Sequence, residues 1–191
     1  MTTFKLHTIE TAPEGSKEML QAALKQNGFI PNLYGIMAES PEVLKAYNQM
    51  NQLFMETSLS PVEKNIVWLT ISHNNQCHYC MAIHSMVAQM FKLSEEMIEA
   101  LRNGQPINDT KLEALRKFTA LLVEKRGWAS DVEVQEFIEA GYSQKNVLEI
   151  IVGIGQKTIS NYVNHLAHTP LDKVIEDFKW EVPKKDGCCN K

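Results

Sequence analysis

Cys77, Cys80 and His84 stand in the stretch Cys77-His78-Tyr79-Cys80-Met81-Ala82-Ile83-His84, a C-x-x-C-x-x-x-H pattern. Steps of three and four residues put these side chains on one face of an α-helix. A thiol attacks as its thiolate, a second thiol one turn away traps what the first one forms, and an imidazole one turn further on moves the proton. The polar run Asn74-Asn75-Gln76 suits a helix start, where backbone N–H groups and the helix dipole favour an anion. Cys80 lies four residues before His84 and is the thiol that imidazole most directly reaches. Its attack on a peroxide gives a sulfenic acid, and condensation with Cys77 gives a disulfide. An outside reductant restores the pair by exchange. The opposite order, with Cys77 attacking, is that of thioredoxin-type sites and stays open on spacing alone.

Other readings compete. Cysteine packs in cores as a small hydrophobe. Zinc needs a fourth ligand, for which His73 and His78 are near in sequence, but one uninterrupted helix face rarely supplies three tetrahedral ligands. No metal or cofactor is therefore expected. Glu63 stands three residues after Ser60, which makes it half of a capping box; it is also the carboxylate available to orient or deprotonate His84. Tyr79 is a local donor or an aromatic anchor. His78 is off the stripe, and His165 and His168 fit surface or capping roles. Gly153-Ile154-Gly155 is a lone G-x-G with no strand before it and no phosphate-loop lysine, which argues against nucleotide binding.

The elements that must position these residues read as helices. Ser16 to Gln26 is amphipathic and stops at Asn27-Gly28. Ser40-Pro41-Glu42 opens a helix to about Glu56, and Ser60-Pro61-Val62-Glu63 repeats that opening. The cysteine helix is expected over about 77–91. Further helices are expected from Ser94 to Asn103-Gly104, from Leu112 to Lys125, from Asp131 to Ala140 and from Ser143 to His168, the last broken near Gly153 or Gly155. No strand alternation or isolated hairpin signal appears, so the fold class is an all-α, multi-helix bundle. It is read as one domain over 1–182, with a C-x-x-C helix-pair core over about 31–104 and a second helical half over about 109–172. A charged tail, 183–191, is expected to be mobile. Glu149, Asn161, Asn164 and His168 repeat the spacing of Asn65, Cys77, Cys80 and His84 at an offset of 84 residues, which suggests two similar halves with thiols in one.

The chain has 191 residues, of which 44% are hydrophobic and 22% charged. That is ordinary for a globular domain with a substantial core. A net charge of −4 gives no footprint for nucleic acid or anionic membrane. No apolar run has spanning length and no signal-peptide pattern follows Met1, so the cytoplasm is the expected location. Four cysteines in two close pairs, 77/80 and 188/189, are too few for a secreted disulfide scaffold. In a reducing compartment a close pair is more often catalytic or metal-binding than structural. Cys188 and Cys189 have no evident partner.

Leu59-Ser60-Pro61-Val62-Glu63 through Cys77-x-x-Cys80-x-x-x-His84-Ser85 resembles the carboxymuconolactone decarboxylase-like superfamily, in its alkyl hydroperoxidase D-like branch. Lys157-Thr158-Ile159-Ser160-Asn161-Tyr162-Val163-Asn164-His165 with Thr169-Pro170-Leu171-Asp172 resembles the peroxidase-related members of that branch. The resemblance implies an all-α homo-oligomer (dimer, trimer or hexamer). It also implies reduction of hydroperoxides by Cys80 with Cys77 and His84, and a thiol or dithiol as reductant. The family's relay glutamate stands about twelve residues before the first cysteine, a position held here by Asn65; Glu63 is the nearest carboxylate. Tyr79 stands where alkyl hydroperoxidase D carries a histidine. Two other functions are consistent with the residues: a lyase like carboxymuconolactone decarboxylase, which needs no dithiol, and a non-catalytic dithiol redox sensor.

Overall fold

Serine side chains open most of the helices, as the sequence suggests. In the computed structural model, which describes residues 4–183, Ser40, Ser60, Ser94, Ser130 and Ser143 each accept a hydrogen bond from the backbone N–H three residues on. Asp109 does the same for Leu112. Glu63 and Glu133 complete capping boxes at Ser60 and Ser130. Such a cap contributes about 1 kcal/mol to its helix. The helices are α1 Glu14–Asn27, α2 Asn32–Met37, α3 Pro41–Met55, α4 Pro61–Asn74, α5 His78–Met90, α6 Glu95–Arg102, α7 Thr110–Glu124, α8 Asp131–Glu139 and α9 Gln144–Ala167, followed by a 3-10 helix, Lys173–Phe178. Among the described residues there is no strand. The expected tail, apart from Pro183, and the pair Cys188 and Cys189 lie outside the described residues.

α4 runs through the middle of the bundle. Every residue from Lys64 to Ser72 is buried, and the helix packs on α5, α6, α7 and α9. Ile66, Leu69 and Ile71 have no exposed surface, and Phe54, Met81, Leu115 and Ile150 join them in one core cluster. Each such side chain contributes roughly 1.5–3 kcal/mol from leaving water, before entropy is counted. A second cluster holds Cys77 and Cys80 among Leu20, Leu33, Leu44, Tyr47 and Ile175. The dithiol is thus part of a core, not of a surface loop.

Two short elements carry no readable period, α2 and the 3-10 helix, and one interaction ties both to α5. Tyr79 Oη donates to Asp172 Oδ2, and Asp172 Oδ1 accepts from Asn32 N at 2.9 Å, so the start of α2 and the lead-in to the 3-10 helix meet on the residue before Cys80. Arg102 fastens the end of the 3-10 helix by donating to Ser85 Oγ and to the carbonyls of Phe178 and Lys179.

α9 corrects one expectation: it runs unbroken through Gly153 and Gly155. The glycines serve close approach rather than a stop. A Cβ at Gly153 would lie 2.8 Å from Phe54 and 3.1 Å from Val67, and one at Gly155 would lie 2.5 Å from Met50. One face of α9 stays exposed and apolar, with Leu148, Ile151, Tyr162 and Leu166 on it. Among the described residues no helix is long and apolar enough to cross a membrane. Replacing Gly153 by Val overpacks the α3–α4–α9 contact and is expected to cost about 2 kcal/mol of stability, read as a lowered urea midpoint with an unchanged slope.

Candidate active site

The site begins with a turn. α4 ends in a Schellman motif: Cys77 N donates to Ser72 O and Gln76 N to His73 O, both at 2.9 Å, with Gln76 left-handed at φ 54°. α5 starts at once. Cys77 is its N-cap residue, with an extended backbone, and its carbonyl accepts the first helical bond from Met81 N at 2.9 Å. Its side chain makes no capping bond and turns into the interior, where Cys77 and Cys80 are both buried and unpaired as disulfides.

α9 lies across the two sulfurs. Asn164 Nδ2 donates to both, at 3.6 Å to Cys77 Sγ and 3.3 Å to Cys80 Sγ, and Ser160 Oγ is 3.7 Å from Cys80 Sγ. Lys157, Ser160, Asn161 and Asn164 follow the i, i+3, i+4, i+7 rule for one helix face, and all four are buried. Lys157 has no exposed surface, and its Nζ has no hydrogen-bond partner among the described residues. Asn161 Nδ2, Asn164 Oδ1 and His84 Nδ1 are likewise buried and unpartnered. Four such atoms around one dithiol mark a polar pocket inside a dry core, since buried polar groups ordinarily find partners.

The two thiols are made unlike. Burial opposes a thiolate at Cys80, but the hydrogen bond from the Cys77 thiol, the Lys157 charge and the Ser160 hydroxyl outweigh it and hold Cys80 well below the usual thiol range. Cys77 is pushed far up, first by its hydrogen bond to Cys80, then by burial and by the Cys80 charge. These surroundings favour the thiolate at Cys80 over the thiolate at Cys77. His84 is held well below the usual imidazole value by burial and by the Lys157 charge, so its ring is neutral. It stacks on Trp68 at 4.7 Å between ring centroids, and Trp68 Nε1 donates to Gln156 Oε1 at 2.8 Å.

The structure brings Cys77, Cys80 and His84 to one region and leaves Glu63 outside it. Glu63 Oε2 accepts from Ser60 N at 2.7 Å at the far end of α4, with Lys111 3.9 Å away. No hydrogen bond joins it to His84 among the described residues. Asn65, at the resemblance's relay position, donates to Pro61 O at 2.8 Å along its own helix. Tyr79 is a donor, to Asp172. His78 is exposed, with its ring on Trp180 O at 2.8 Å. Sequence reasoning passed over Lys157, Ser160, Asn161 and Asn164 as a group. Their signal was a polar i, i+3, i+4, i+7 stripe inside an otherwise apolar helix, and the echo at offset 84 touched two of them. Among the described residues no three His, Cys, Asp or Glu side chains are grouped to hold a metal ion.

Two cavities flank the dithiol. One, of 590 Å³, is polar and lined by Gln76, Cys77, His78, Asn164, His165 and His168. The other, of 390 Å³, is lined by Tyr34, Tyr47, Trp68, Tyr79, Ile83, His84 and Val87 among others. Tyr34 and Tyr47 meet edge to face there, 5.8 Å between centroids.

Residues 41–120, which include Cys77, Cys80 and His84, match the Carboxymuconolactone decarboxylase family. Over that segment the chain is similar to this family. Its fold matches the alkylhydroperoxidase core of a peroxidase-related protein from Ralstonia eutropha, with a TM-score of 0.81 at 14% identity over 92% of this chain and 96% of that one. A peroxidase-related protein from a Silicibacter species matches at a TM-score of 0.78 and 17% identity, over 93% and 97% of the two chains. A debrominase, solved in complex with 2,3,4-tribromopyrrole, matches at 0.77 and 15% identity, over 93% and 96%. At these identities the likeness establishes the all-α fold. No curated protein matches the chain by sequence.

The state of His84 has a measurable consequence. A histidine held neutral by burial binds fewer protons folded than unfolded once the pH drops below the ordinary imidazole value of about 6.5. Its contribution therefore makes the fold less stable on acidification. The urea midpoint is expected to fall between pH 7 and pH 5, the His84→Phe variant is expected to show a shallower fall, and the His84 imidazole NMR signals are expected not to titrate in that range.

Proposed function

We propose that the protein is a thiol-dependent oxidoreductase that reduces organic hydroperoxides through the Cys77–Cys80 dithiol. The observation that carries this reading is the unequal setting of the two sulfurs: Asn164 Nδ2 is 3.3 Å from Cys80 Sγ and 3.6 Å from Cys77 Sγ, and Ser160 Oγ lies 3.7 Å from Cys80 Sγ on the helix face that also carries the buried Lys157. The same surroundings lower the Cys80 thiol and raise that of Cys77. The Cys80 thiolate attacks the outer peroxide oxygen, the O–O bond breaks, and the alkoxide takes a proton to leave as alcohol. Cys80 is then a neutral sulfenic acid. The thiolate charge and hydrogen bond that held the Cys77 proton are gone, so Cys77 is freed to attack the sulfenic sulfur, releasing water and forming the disulfide. Two electrons from an external thiol or dithiol restore the pair. His84, neutral and one turn beyond Cys80, is the proton shuttle, with no carboxylate behind it among the described residues; Glu63 acts on the helix that carries Trp68 rather than on the shuttle. The aromatic cavity beside His84 supports an organic rather than an inorganic peroxide, since such apolar walls favour the hydrocarbon part of a ligand.

That cavity also favours a second reading, reductive removal of bromine from a small aromatic ring, the activity named for the debrominase of the same fold. It uses the same two electrons: dithiol and carbon–bromine bond become disulfide, carbon–hydrogen bond, bromide and a proton. In both readings the dithiol is reset by a reducing compartment such as the cytoplasm. The exposed Leu148, Ile151, Tyr162 and Leu166 face of α9 supports self-association.

Turnover of cumene hydroperoxide with dithiothreitol as reductant tests the leading reading. Cys80→Ser is expected to abolish turnover. Cys77→Ser is expected to allow one oxidation, trapped by dimedone on Cys80, and no cycling. Full turnover by Cys80→Ser overturns the reading, and release of bromide from bromopyrroles without peroxide consumption favours the second.

A further inference from the structure

We propose that Lys157 gives the dithiol its direction: it holds Cys80 as the attacking thiolate and again as the leaving group, so that the electron donor enters at Cys77 through the polar mouth. The inference rests on the dithiol reading above.

Lys157 puts an ammonium in a dry place. Lys157 has no exposed surface and no hydrogen-bond partner for Nζ among the described residues. A lone buried charge costs several kcal/mol unless an opposite charge is near. Lys157 is on the face of α9 that carries Ser160 and Asn164, both in contact with Cys80 Sγ. The ionisable groups around Cys80 are Cys77, Tyr79 and His84 on its own helix, Tyr47 from α3, Lys157 from α9, and Asp172 behind Tyr79. Of these, Lys157 is the one placed to balance a thiolate. His84 is neutral and has no carboxylate behind it among the described residues, while Asn65 is turned back on Pro61. A fixed cation therefore stands in for a carboxylate-backed proton relay.

The same charge sets the return path. In thiol–disulfide exchange the better leaving thiolate departs. An incoming thiolate attacks Cys77 Sγ and forms a mixed disulfide there. The Cys77–Cys80 bond breaks, and its electron pair goes to Cys80, which leaves as the thiolate facing Lys157. A second thiol, or the second sulfur of a dithiol, then resolves the mixed disulfide and returns a proton to Cys77. The cavities agree with this order. Cys77 lines the 590 Å³ polar mouth with His78, Asn164, His165 and His168, whereas Cys80 lines neither cavity; Tyr79 lines both, and His84 lines the aromatic one. The donor expected is a small hydrophilic thiol or dithiol.

The test has two arms, neither of which needs peroxide turnover. Thiolate absorbance at 240 nm, taken as the difference from Cys80→Ser, reports Cys80. Lys157→Met is expected to raise its titration by about one to three pH units, and Lys157→Arg to restore most of that shift. An unchanged titration in a folded Lys157→Met protein overturns the proposal, and so does a failure of Arg to restore it. In the second arm the unmodified chain is oxidised with diamide, exposed briefly to 2-mercaptoethanol, quenched in acid and mapped by mass spectrometry. The adduct is expected on Cys77, and an adduct on Cys80 overturns the proposal even where Lys157→Met does not fold. Success in both arms without peroxide turnover would fault the peroxidase reading and leave the role of Lys157 standing.

Discussion

No linker separates α4 from α5. Three residues, Asn75, Gln76 and Cys77, stop the most buried helix of the bundle and start the helix of the dithiol, and this shared corner constrains everything around it. The left-handed backbone at Gln76 costs a non-glycine residue about 1 kcal/mol, and the two Schellman bonds offset it. Because α4 is gripped by α6, α7 and α9, the corner cannot drift, and Cys77 is delivered to a fixed place at the head of α5. Asn75 adds a brace from its amide to Asn161 Oδ1, 2.8 Å away, which fastens the corner directly to α9.

Much of this was legible in the chain. Serine, proline and glutamate mark the helix starts with a local chemistry that tertiary packing had no reason to overrule. What escaped was what local chemistry does not encode. The six-residue α2 is too short for a period, and the 3-10 helix is held by distant residues: Arg102 at its end, and Tyr79 and Asn32 on its lead-in residue Asp172. Gly153 and Gly155 read as a break because glycine lowers helix propensity, yet the loss is small against the close approach of α3 and α4 that the missing side chains permit.

The site divides in the same way. Cys77, Cys80 and His84 were visible because they lie within two turns of one another. Lys157, Ser160 and Asn164 sit about eighty residues further on, and only the folded packing of α9 on α5 joins them. Glu63 shows the limit of proximity along a chain: it precedes the cysteines by four turns of helix and caps the wrong end of it. The offset-84 echo had physical content at Asn161 and Asn164, which face the corner and the sulfurs, but not at His168, which ends α9 in a left-handed cap.

The buried ammonium also bears on energetics. Its counter-charge exists only while Cys80 is reduced. In the proposed cycle, closing the disulfide removes that charge and leaves Lys157 uncompensated in a dry core. That penalises the oxidised form relative to the reduced one, and a disulfide whose reduced form is favoured has a high reduction potential. In that cycle the pair would then be a strong electron acceptor, refilled by ordinary cellular thiols without a specialised low-potential donor.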